Sequence, residues 1–240
     1  MGGQVSTVRP FSLPMRQALK YWAAKIVLDA DDFYRLAEDL RGRAFTVGAL
    51  ARANMVNDVY SSLGRALEQG SSFGEWKKSI ADVIQASGWD RRRAELIFRT
   101  NVQSAFQAGR WKQMQAVKRA RPYWRYVSVQ DARTRPSHAA LHGKVFHADD
   151  TFWDTFYPPN GYQCRCTVQT LSERQVEQYG YEVDAGIPGP TLVTDPRTGM
   201  ETVISPFPDR GWETNQAKEA WTADLSKYPD WMRERLEQVV

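Results

Sequence analysis

The 240-residue sequence lacks most features of secreted, membrane or disulfide-stabilised proteins. No run reaches the ~18 uninterrupted apolar residues that a transmembrane helix needs. The first residues, MGGQVSTVRPFSLPMRQ, lack the apolar central stretch of a secretory signal. The two cysteines, Cys164 and Cys166, stand one residue apart and cannot cross-link distant parts of the chain. We therefore expect a soluble protein with reduced thiols that is made in a cytoplasm.

Charge is distributed unevenly along the chain, whose formal net charge is +4. Between Asp90 and Arg125, ten Lys or Arg residues outnumber two acidic residues, so this segment carries +8 and the remainder −4. Such an island suits phosphate backbones, although a long solvated helix often carries similar charge without binding nucleic acid. The candidate DNA-contacting residues are the cations near its two ends: Arg91, Arg92, Arg93, Lys118, Arg119 and Arg121.

The N-terminal half shows the periodicity of α-helices. Apolar residues recur every three or four positions in three segments, which predicts three amphipathic helices. Their apolar positions are Met15, Leu19, Trp22 and Ile26; Phe33, Leu36, Ala37 and Leu40, capped by Asp31 or Asp32; and Leu50, Val56, Val59, Leu63 and Leu67. Ser72 and Glu75 form a capping box for a fourth helix that ends near Gly88. The fifth helix is expected from Asp90 to about Arg119, before Pro122.

After Pro122 the pattern changes to extended structure, because YWRYVSV alternates with period two. A short helix after Pro136, a strand at KVF and a strand at the end of PPNGYQCRCTVQTL follow, and a capping box at Ser172 opens a helix that Gly180 closes. We predict an α+β fold: an N-terminal α-helical domain (1–120) whose long helix leads into a small α+β C-terminal module (121–180), then a linker, a β-hairpin and C-terminal helices (181–240).

All three histidines and both cysteines lie within residues 134–166. In extended backbone Cys164 and Cys166 point to the same side, and in a helix His138 and His142 share one face. Four such ligands would close a tetrahedral structural zinc site. The alternative is a packed core with buried thiols and hydrogen-bonded histidines. His147, beyond the turn at Gly143, is expected in an exposed loop.

Catalysis is the weaker interpretation of this window. Asp131, His138 and Cys164 supply the residue types of a thiol hydrolase, and histidines with carboxylates also suit a metal-dependent nuclease. However, the sequence contains no H-E-x-x-H and no phosphate-binding glycine loop, and its G-x-S-x-G match, GSSFG at 70–74, lies between two predicted helices at the Ser72 capping box rather than in a strand-to-helix turn. We therefore predict that the chain is not an enzyme.

The segment TFWDTFYPPNG is expected to organise the module. Its aromatic residues predict a lid over the core of the module. Pro158 and Pro159 stiffen the approach to a turn at Asn160 and Gly161, which would tolerate positive φ and aim the two cysteines inward.

These residues together carry a family resemblance. The pattern Asp131-x-Arg133-x₄-His138-x₂-Leu141-x-Gly143, followed by Trp153 and PPNGYQCRC, resembles the C-terminal module of phage head-morphogenesis proteins related to the Mu F protein. RAELIFRTNVQSAFQAGRWKQM, at 93–114, is similar to the helix that precedes this module in the family, and RGWETN resembles a segment near the end of such proteins. The resemblance covers most of residues 10–180. It implies structural roles for Asp131, Arg133, Gly143, Trp153, Pro158, Asn160 and Gly161.

The resemblance also implies a function. Members are minor capsid proteins, present in few copies, that associate with the portal and enter the procapsid during assembly. The expected partners are the portal protein, the major capsid or scaffold protein and double-stranded DNA through its phosphates, with no membrane. The expected location is the virion, in the capsid interior or portal region, and the host cytoplasm during assembly.

Many relatives carry a C-x₂-C pair ahead of a histidine and a terminal C-R-C. Here Arg135 and His138 occupy the positions of that pair, and Gly161 falls where a histidine often sits. The resemblance therefore implies either a structural zinc site rebuilt around His138, Cys164 and Cys166, with His142 recruited, or its replacement by packing and hydrogen bonds around Asp131, Arg133 and the cysteines.

Overall fold

The computed structural model describes residues 15–35, 44–47, 53–195, 198–218, 226, 230 and 233–234. Helices and small sheets follow one another in these ranges, which confirms the predicted α+β class. The helices are α1 (Arg16–Ala23), α2 (Ala30–Arg35), α3 (Ala53–Gln69), α4 (Phe73–Ser79), α5 (Ala81–Ser87), α6 (Arg91–Ala116), α7 (Pro136–Ala140), α8 (Phe152–Phe156) and α9 (Glu173–Tyr179). The strands are β1 (Ile26–Val27), β2 (Ala44–Phe45), β3 (Tyr123–Val127), β4 (Val145–His147), β5 (Thr167–Leu171), β6 (Thr191–Thr194) and β7 (Glu201–Ile204).

The N-terminal helices pack around the long helix α6. α1 crosses α6 so closely that a Cβ added to Gly109 would lie 2.5 Å from the backbone nitrogen of Ala18. Only glycine fits such a contact between two backbones. α3 packs against both helices, and its buried Val59 and Leu63 join the core. The crossing fixes the position of α6, which later contributes side chains to the candidate site.

Two predictions for this region are wrong. The first helix ends at Ala23, and Ile26 lies in β1, which pairs in parallel with β2. The β-branched Ile26 and Val27 gain backbone partners in the sheet that the helical periodicity did not anticipate. The cap of the second helix is Asp29, whose carboxylate accepts a hydrogen bond from the amide of Asp32 at 2.8 Å. The predicted apolar positions 36, 37, 40 and 50 lie outside the described residues.

The capping-box predictions are confirmed. Ser72 accepts a hydrogen bond from the amide of Glu75 and Glu75 accepts one from the amide of Ser72; the same reciprocal pair joins Ser172 and Gln175. The helix that Ser72 opens is interrupted at Ile80, which has non-helical dihedral angles (φ −124°, ψ 27°), so it continues as a separate helix to Ser87. The side chain of Ile80, at the break between the two helices, is buried in the core.

The C-terminal module contains a three-stranded antiparallel sheet in the order β4-β3-β5. Along β3, Trp124 and Tyr126 are buried, whereas the intervening residues are half-buried, which confirms the predicted period-two strand. A cluster of rings joins the sheet to α6: Trp111 makes edge contacts with Trp124 at 5.2 Å and Tyr157 at 4.8 Å between ring centroids. The hydrophobic core therefore runs without a break across residue 120, and the division into domains at that residue stays a prediction.

The segment after the module forms the predicted hairpin, with β6 paired to β7 and packed near α7. The C-terminal helices expected beyond it fall mostly outside the described residues. No helix in the described ranges is both long and apolar enough to cross a membrane.

Candidate metal centre

His138 is presented by the short helix α7. Pro136 occupies the first turn of α7, where a missing amide hydrogen has no cost, and the side chain of His138 points into the module. The imidazole is buried, with 3% exposure. Cys164 and Cys166 lie in the segment just before β5, and both thiols are buried in the module core. The local chain folds so that two sulfurs and one imidazole meet.

Arg165, the residue between the two cysteines, is held by Asp131. Its guanidinium donates two hydrogen bonds, of 2.6 and 2.7 Å, to the carboxylate of Asp131. A backbone hydrogen bond of 3.2 Å from Cys164 to the carbonyl of Gly161 closes the turn on the other side. These contacts orient both thiols toward His138.

The three side chains have the spacing of a metal site. The Nδ1 atom of His138 lies 3.3 Å from the Sγ of Cys166 and 3.7 Å from the Sγ of Cys164, and the three atoms all lie within 4.8 Å of one another. In a tetrahedral zinc site, bond lengths of about 2.3 Å to sulfur and about 2.0 Å to nitrogen place these ligands roughly 3.5 Å apart. His138, Cys164 and Cys166 therefore form a group that could hold a metal ion.

Side chains of α6 hold the cysteine segment in place. Gln103 and Gln107 each donate a hydrogen bond from Nε2 to the carbonyl oxygen of Cys166, at 3.0 and 2.9 Å. Tyr157 in turn donates its hydroxyl hydrogen to the carbonyl of Gln107 at 2.9 Å. Because buried polar groups need such partners, this network fixes the cysteine backbone against the long helix.

The two thiols differ in their proton affinity. A hydrogen bond from Cys166 holds the pKa of Cys164 well below its ordinary value, and His138 adds to this effect. The same hydrogen bond and burial raise the pKa of Cys166. Burial raises the pKa of the nearby Tyr126 as well. In the metal-free protein, Cys164 is therefore the member of the pair that more readily becomes a thiolate, the form that binds metals.

The structure does not bring His142 to this group. α7 ends at Ala140, so the spacing of four residues between His138 and His142 no longer places both rings on one helical face. Instead Nδ1 of His142 lies 3.1 Å from the carbonyl oxygen and 3.2 Å from the amide of Ser128. His142 therefore does not belong to the ligand group among the described residues. His147 is exposed, as expected, and lies next to Asp149, but it ends strand β4 rather than lying in a loop.

Several other residues expected to shape the module make hydrogen bonds or ion pairs within it. Asn160 donates hydrogen bonds of 3.0 Å to the hydroxyl of Tyr126 and to the carbonyl of Phe156. Arg133 is largely exposed and lies 3.6 Å from the Asp131 carboxylate. Gly143 adopts φ +88° and donates its amide hydrogen to the carbonyl of Tyr126.

The aromatic segment is buried as predicted, with Phe152, Trp153, Phe156 and Tyr157 all in the core. Trp153 donates its indole hydrogen to the carbonyl of His147.

The turn at Asn160 and Gly161, expected to tolerate positive φ, does not adopt it at either residue. Among the described residues of this turn, the left-handed conformation falls on Gln163, at φ 55°. Pro158 precedes a cis peptide bond to Pro159. Gly161 is required for a different reason: a Cβ added there would lie 2.2 Å from the Oδ2 atom of Asp209. The same carboxylate lies 3.3 Å from the guanidinium of Arg135. Asp209 therefore fills the space beside Gly161 that a side chain would need.

The cations proposed for DNA contact separate into two groups. Arg91 and Arg92 are exposed at the start of α6, with Arg93 beside them half-buried. Beyond the other end, Arg121 donates hydrogen bonds to the Thr170 side chain and carbonyl and to Gln175. At the same end of α6, Lys118 pairs with Asp149 at 2.5 Å, and Arg119 is exposed. The 26 residues of α6 span roughly 39 Å, so the two groups do not form one patch.

A second concave region was not indicated by the sequence. A cavity of about 900 Å³ lies between the N-terminal segments, α6 and residues 210–216. Lys25 lines it, is 9% exposed and donates a hydrogen bond to the carbonyl of Ala44 at 3.2 Å. Burial lowers the pKa of Lys25 to about 7. A lysine in an apolar helical stripe, KYWAAKIV, is the one sequence signal that points to this residue.

Comparison with known proteins places these features in a family. Residues 57–169 match the family described as Phage Mu protein F like protein. The chain is 33% identical over 246 residues to the Putative capsid assembly protein F of Escherichia phage Mu, covering 88% of this chain and 56% of that protein. It is 36% identical over 169 residues to the Mu-like prophage FluMu F protein of Haemophilus influenzae, covering 64% of this chain and 41% of that protein.

An uncharacterized protein of Methanocaldococcus jannaschii is 29% identical over 124 residues, which cover 48% of this chain and 19% of that protein. The chain thus spans about half the length of the curated Mu relatives that it matches. No solved structure matches it. The family match begins within α3 and ends within β5, so it includes α6, His138 and both cysteines. The resemblance indicated by the sequence is confirmed: residues 57–169 belong to the Phage Mu protein F-like family.

Proposed function

We propose that the protein is a structural component of phage head assembly, a minor capsid protein that associates with the portal and remains in the virion. The observation that carries this proposal is the family match over residues 57–169, because it covers the long helix and the buried His138, Cys164 and Cys166 together. The Mu relative bears the name Putative capsid assembly protein F, and its alignment extends over 88% of this chain. A minor capsid protein of this kind needs a rigid module that presents surfaces to its partners.

The geometry of the His/Cys group favours a structural role over catalysis. His138, Cys164 and Cys166 are each at most 4% exposed, and the cavity beside them has a volume of about 20 Å³. That volume holds one water-sized group, so a polymeric substrate has no access to the thiols.

The rival function is a metal-dependent nuclease or a thiol hydrolase that uses His138, Cys164 and Asp131. In a hydrolase of this type, a carboxylate or amide orients the histidine. Here the carboxylate of Asp131 is engaged by Arg165, and the Nε2 atom of His138 is buried without a hydrogen-bond partner in the described part of the chain. A purified protein that cleaves DNA or an ester, and loses this activity in the Cys164→Ser variant without loss of stability, would favour the rival.

We further propose that His138, Cys164 and Cys166 hold a structural zinc ion. Bound there, zinc would supply a cross-link between α7 and the segment before β5, with no chemistry on a substrate. Two soft sulfurs and one imidazole nitrogen are the donor set that zinc prefers, and their separations fit its geometry. The protein's own residues provide the orientation: Arg165 and the α6 glutamines hold the cysteine segment, and α7 holds the imidazole.

Elemental analysis of the purified chain tests the metal. We expect about one zinc per chain, lost in the Cys164→Ser/Cys166→Ser double variant and retained in His147→Gln, which changes an exposed histidine of the same module. Loss of zinc should lower the melting temperature by about 6–12 °C, the equivalent of about 3 kcal/mol. A metal-free wild-type protein with unchanged stability after chelation would exclude the zinc proposal and leave the assembly role standing.

The assembly role is tested in cells that carry the head gene cluster together with this chain. Deleting the chain should abolish normal heads in electron micrographs, and the wild-type chain supplied from a plasmid should restore them. Quantitative mass spectrometry of purified particles should find the chain at a few copies per portal. Normal heads without it, or particles that never contain it, would overturn the proposal.

A further inference from the structure

We infer that the metal centre keeps one coordination position open toward the adjacent cavity, where it takes a small anion from solution. The inference rests on the metal-binding part of the proposed function and adds the chemistry of the fourth ligand. It follows from the number of protein donors, the position of the cavity and the charge of its walls.

The first observation is the donor count. Among the described residues, the metal-ligating group of His, Cys, Asp and Glu side chains contains His138, Cys164 and Cys166 and no fourth member. Zinc in proteins is almost always four-coordinate, and a site with three protein ligands completes its shell with water or another small ligand. His142, the fourth ligand expected from the sequence, is held instead by Ser128.

The second observation is the position and size of the cavity. All three donor residues line the space of about 20 Å³, so it touches the metal site directly. A water molecule requires roughly 10–15 Å³ of such space, so the cavity holds one water-sized group and excludes a bulky side chain. The open position thus has room for one donor atom.

The third observation is charge. Three arginines, Arg133, Arg135 and Arg165, line the same space, and the described lining contains no acidic side chain. Asp131 binds Arg165 and lies near Arg133, and Asp209 lies 3.3 Å from Arg135, so two carboxylates face three guanidinium groups. A zinc ion with two thiolates and a neutral imidazole has no net charge. The residual positive charge of the walls therefore favours a small anion over a neutral ligand.

The ligand class that fits is a monoatomic anion, or a linear anion that binds end-on and extends through the cavity opening. Chloride and azide belong to this class, whereas imidazole, a planar ring, exceeds the volume beside the metal. Binding is an exchange in which the anion enters and the water that held the position leaves. No bond within the protein changes.

The test uses the full chain with cobalt(II) in place of zinc, because the visible spectrum of cobalt reports its coordination. We expect one cobalt per chain and a saturable change of its absorption bands as azide is added, with little response to imidazole. The Arg133→Gln variant removes a mostly exposed cavity arginine and should weaken azide binding about threefold to tenfold. Arg119→Gln, which removes an exposed arginine outside the cavity lining, should bind azide like the wild type.

The outcomes separate the two proposals. Cobalt could bind stoichiometrically and keep its spectrum unchanged as azide is added up to high concentration. This result would mean that protein ligands fill every coordination position of the metal. The structural metal site would then stand and the open position would be wrong. Failure to bind cobalt or zinc at all would overturn the metal proposal and this inference together. Equal azide affinity in Arg133→Gln and the wild type would overturn the charge argument.

Discussion

The carboxylate of Asp131 and the guanidinium of Arg165 form a two-point ion pair, with N–O distances of 2.6 and 2.7 Å, across 34 positions of the sequence. Arg165 is the residue between the two cysteines, so this pair fixes the cysteine segment beside the cavity that both thiols line. A bidentate pair has one relative orientation, unlike a contact to lysine. The loop before α7, which contains Asp131, and the cysteine segment are thereby held together even before a metal binds.

We expect Asp131→Asn to weaken the module and to change its response to acid. Arg165 holds the pKa of Asp131 well below its usual range, so the folded state favours the carboxylate. The pair therefore stabilises the fold above the unfolded pKa of about 4, and this contribution is lost as pH falls through the lower folded value. Melting temperatures between pH 2 and 7 should fall less steeply on acidification in Asp131→Asn than in the wild type.

The control for this variant is Asp149→Asn, which removes a more exposed carboxylate that contacts Lys118 and His147. Exposed pairs of this kind contribute little to stability. Parallel acid profiles of Asp131→Asn and the wild type would show that the Asp131 carboxylate gains nothing from Arg165 on folding.

Gly161 is expected to tolerate no side chain while Asp209 is present. A Cβ at this position would meet the Oδ2 and Cγ atoms of Asp209 at 2.2 and 2.7 Å, and the short aspartate has little freedom to move away. Gly161→Ala should cost about 1–3 kcal/mol of unfolding free energy, measured by urea denaturation. In an Asp209→Ala background the same change should cost at least about 1 kcal/mol less.

Gly74→Ala provides the comparison for that experiment. Its added Cβ would lie no closer than 3.9 Å to the nearest atom, at an exposed position of α4. Alanine there should stabilise the protein by roughly 0.5–1 kcal/mol. An equal cost of Gly161→Ala with and without Asp209 would refute the proposed contact.

The sequence predicts local structure well where one residue pair determines it. Ser72 with Glu75 and Ser172 with Gln175 satisfy helix ends by themselves, so their capping boxes were identified correctly. The side chains of Cys164 and Cys166 converge because every second side chain of an extended backbone points to the same side. The sequence did not reveal the position of His142, because that position depends on where α7 ends. It placed Ile26 in a helix incorrectly, because β1 pairs with β2 eighteen positions away in the chain.

The parts that sequence reasoning missed are tertiary contacts. Gln103 and Gln107 look like ordinary surface residues of a helix until α6 is placed against Cys166. Asp209 lies 48 positions from Gly161, and nothing local indicates their contact. The cation-rich segment shows the same limit, since half-buried Arg121 is used inside the module, which charge counting does not reveal.

Lys25 should make stability rise with pH above neutrality. Burial lowers its pKa to about 7 in the folded protein, against about 10.5 in the unfolded chain. Between these values the unfolded state binds more protons, so the free energy of unfolding increases with pH. From pH 7 to pH 9 this group should add about 2 kcal/mol, a difference that Lys25→Met abolishes.

Urea denaturation of both proteins at the two pH values isolates this effect, because the other titrating groups are common to them. The comparison depends on the change with pH, so the loss of the hydrogen bond to the Ala44 carbonyl in the variant cancels. If the free energy of unfolding rises equally in the wild type and in Lys25→Met between pH 7 and 9, Lys25 is charged in the folded protein and the cavity beside it is well hydrated.

DNA contact, if it occurs through the basic segment, should depend on the start of α6 rather than on its far end. Arg91 and Arg92 are exposed and available to phosphates, whereas Arg121 is engaged with Thr170 and Gln175. Each phosphate contact contributes about 0.9 to the slope of log affinity against log salt, so Arg91→Gln/Arg92→Gln should reduce that slope by up to about 2.

Lys77→Gln/Lys78→Gln removes equal charge from exposed positions of α4 and should leave most of the slope intact. Arg121→Gln should instead lower the melting temperature without changing the slope. Fluorescence anisotropy with a DNA duplex over a range of salt concentrations measures the slopes, and equal slopes for the two double variants would show that α6 does not carry the contact.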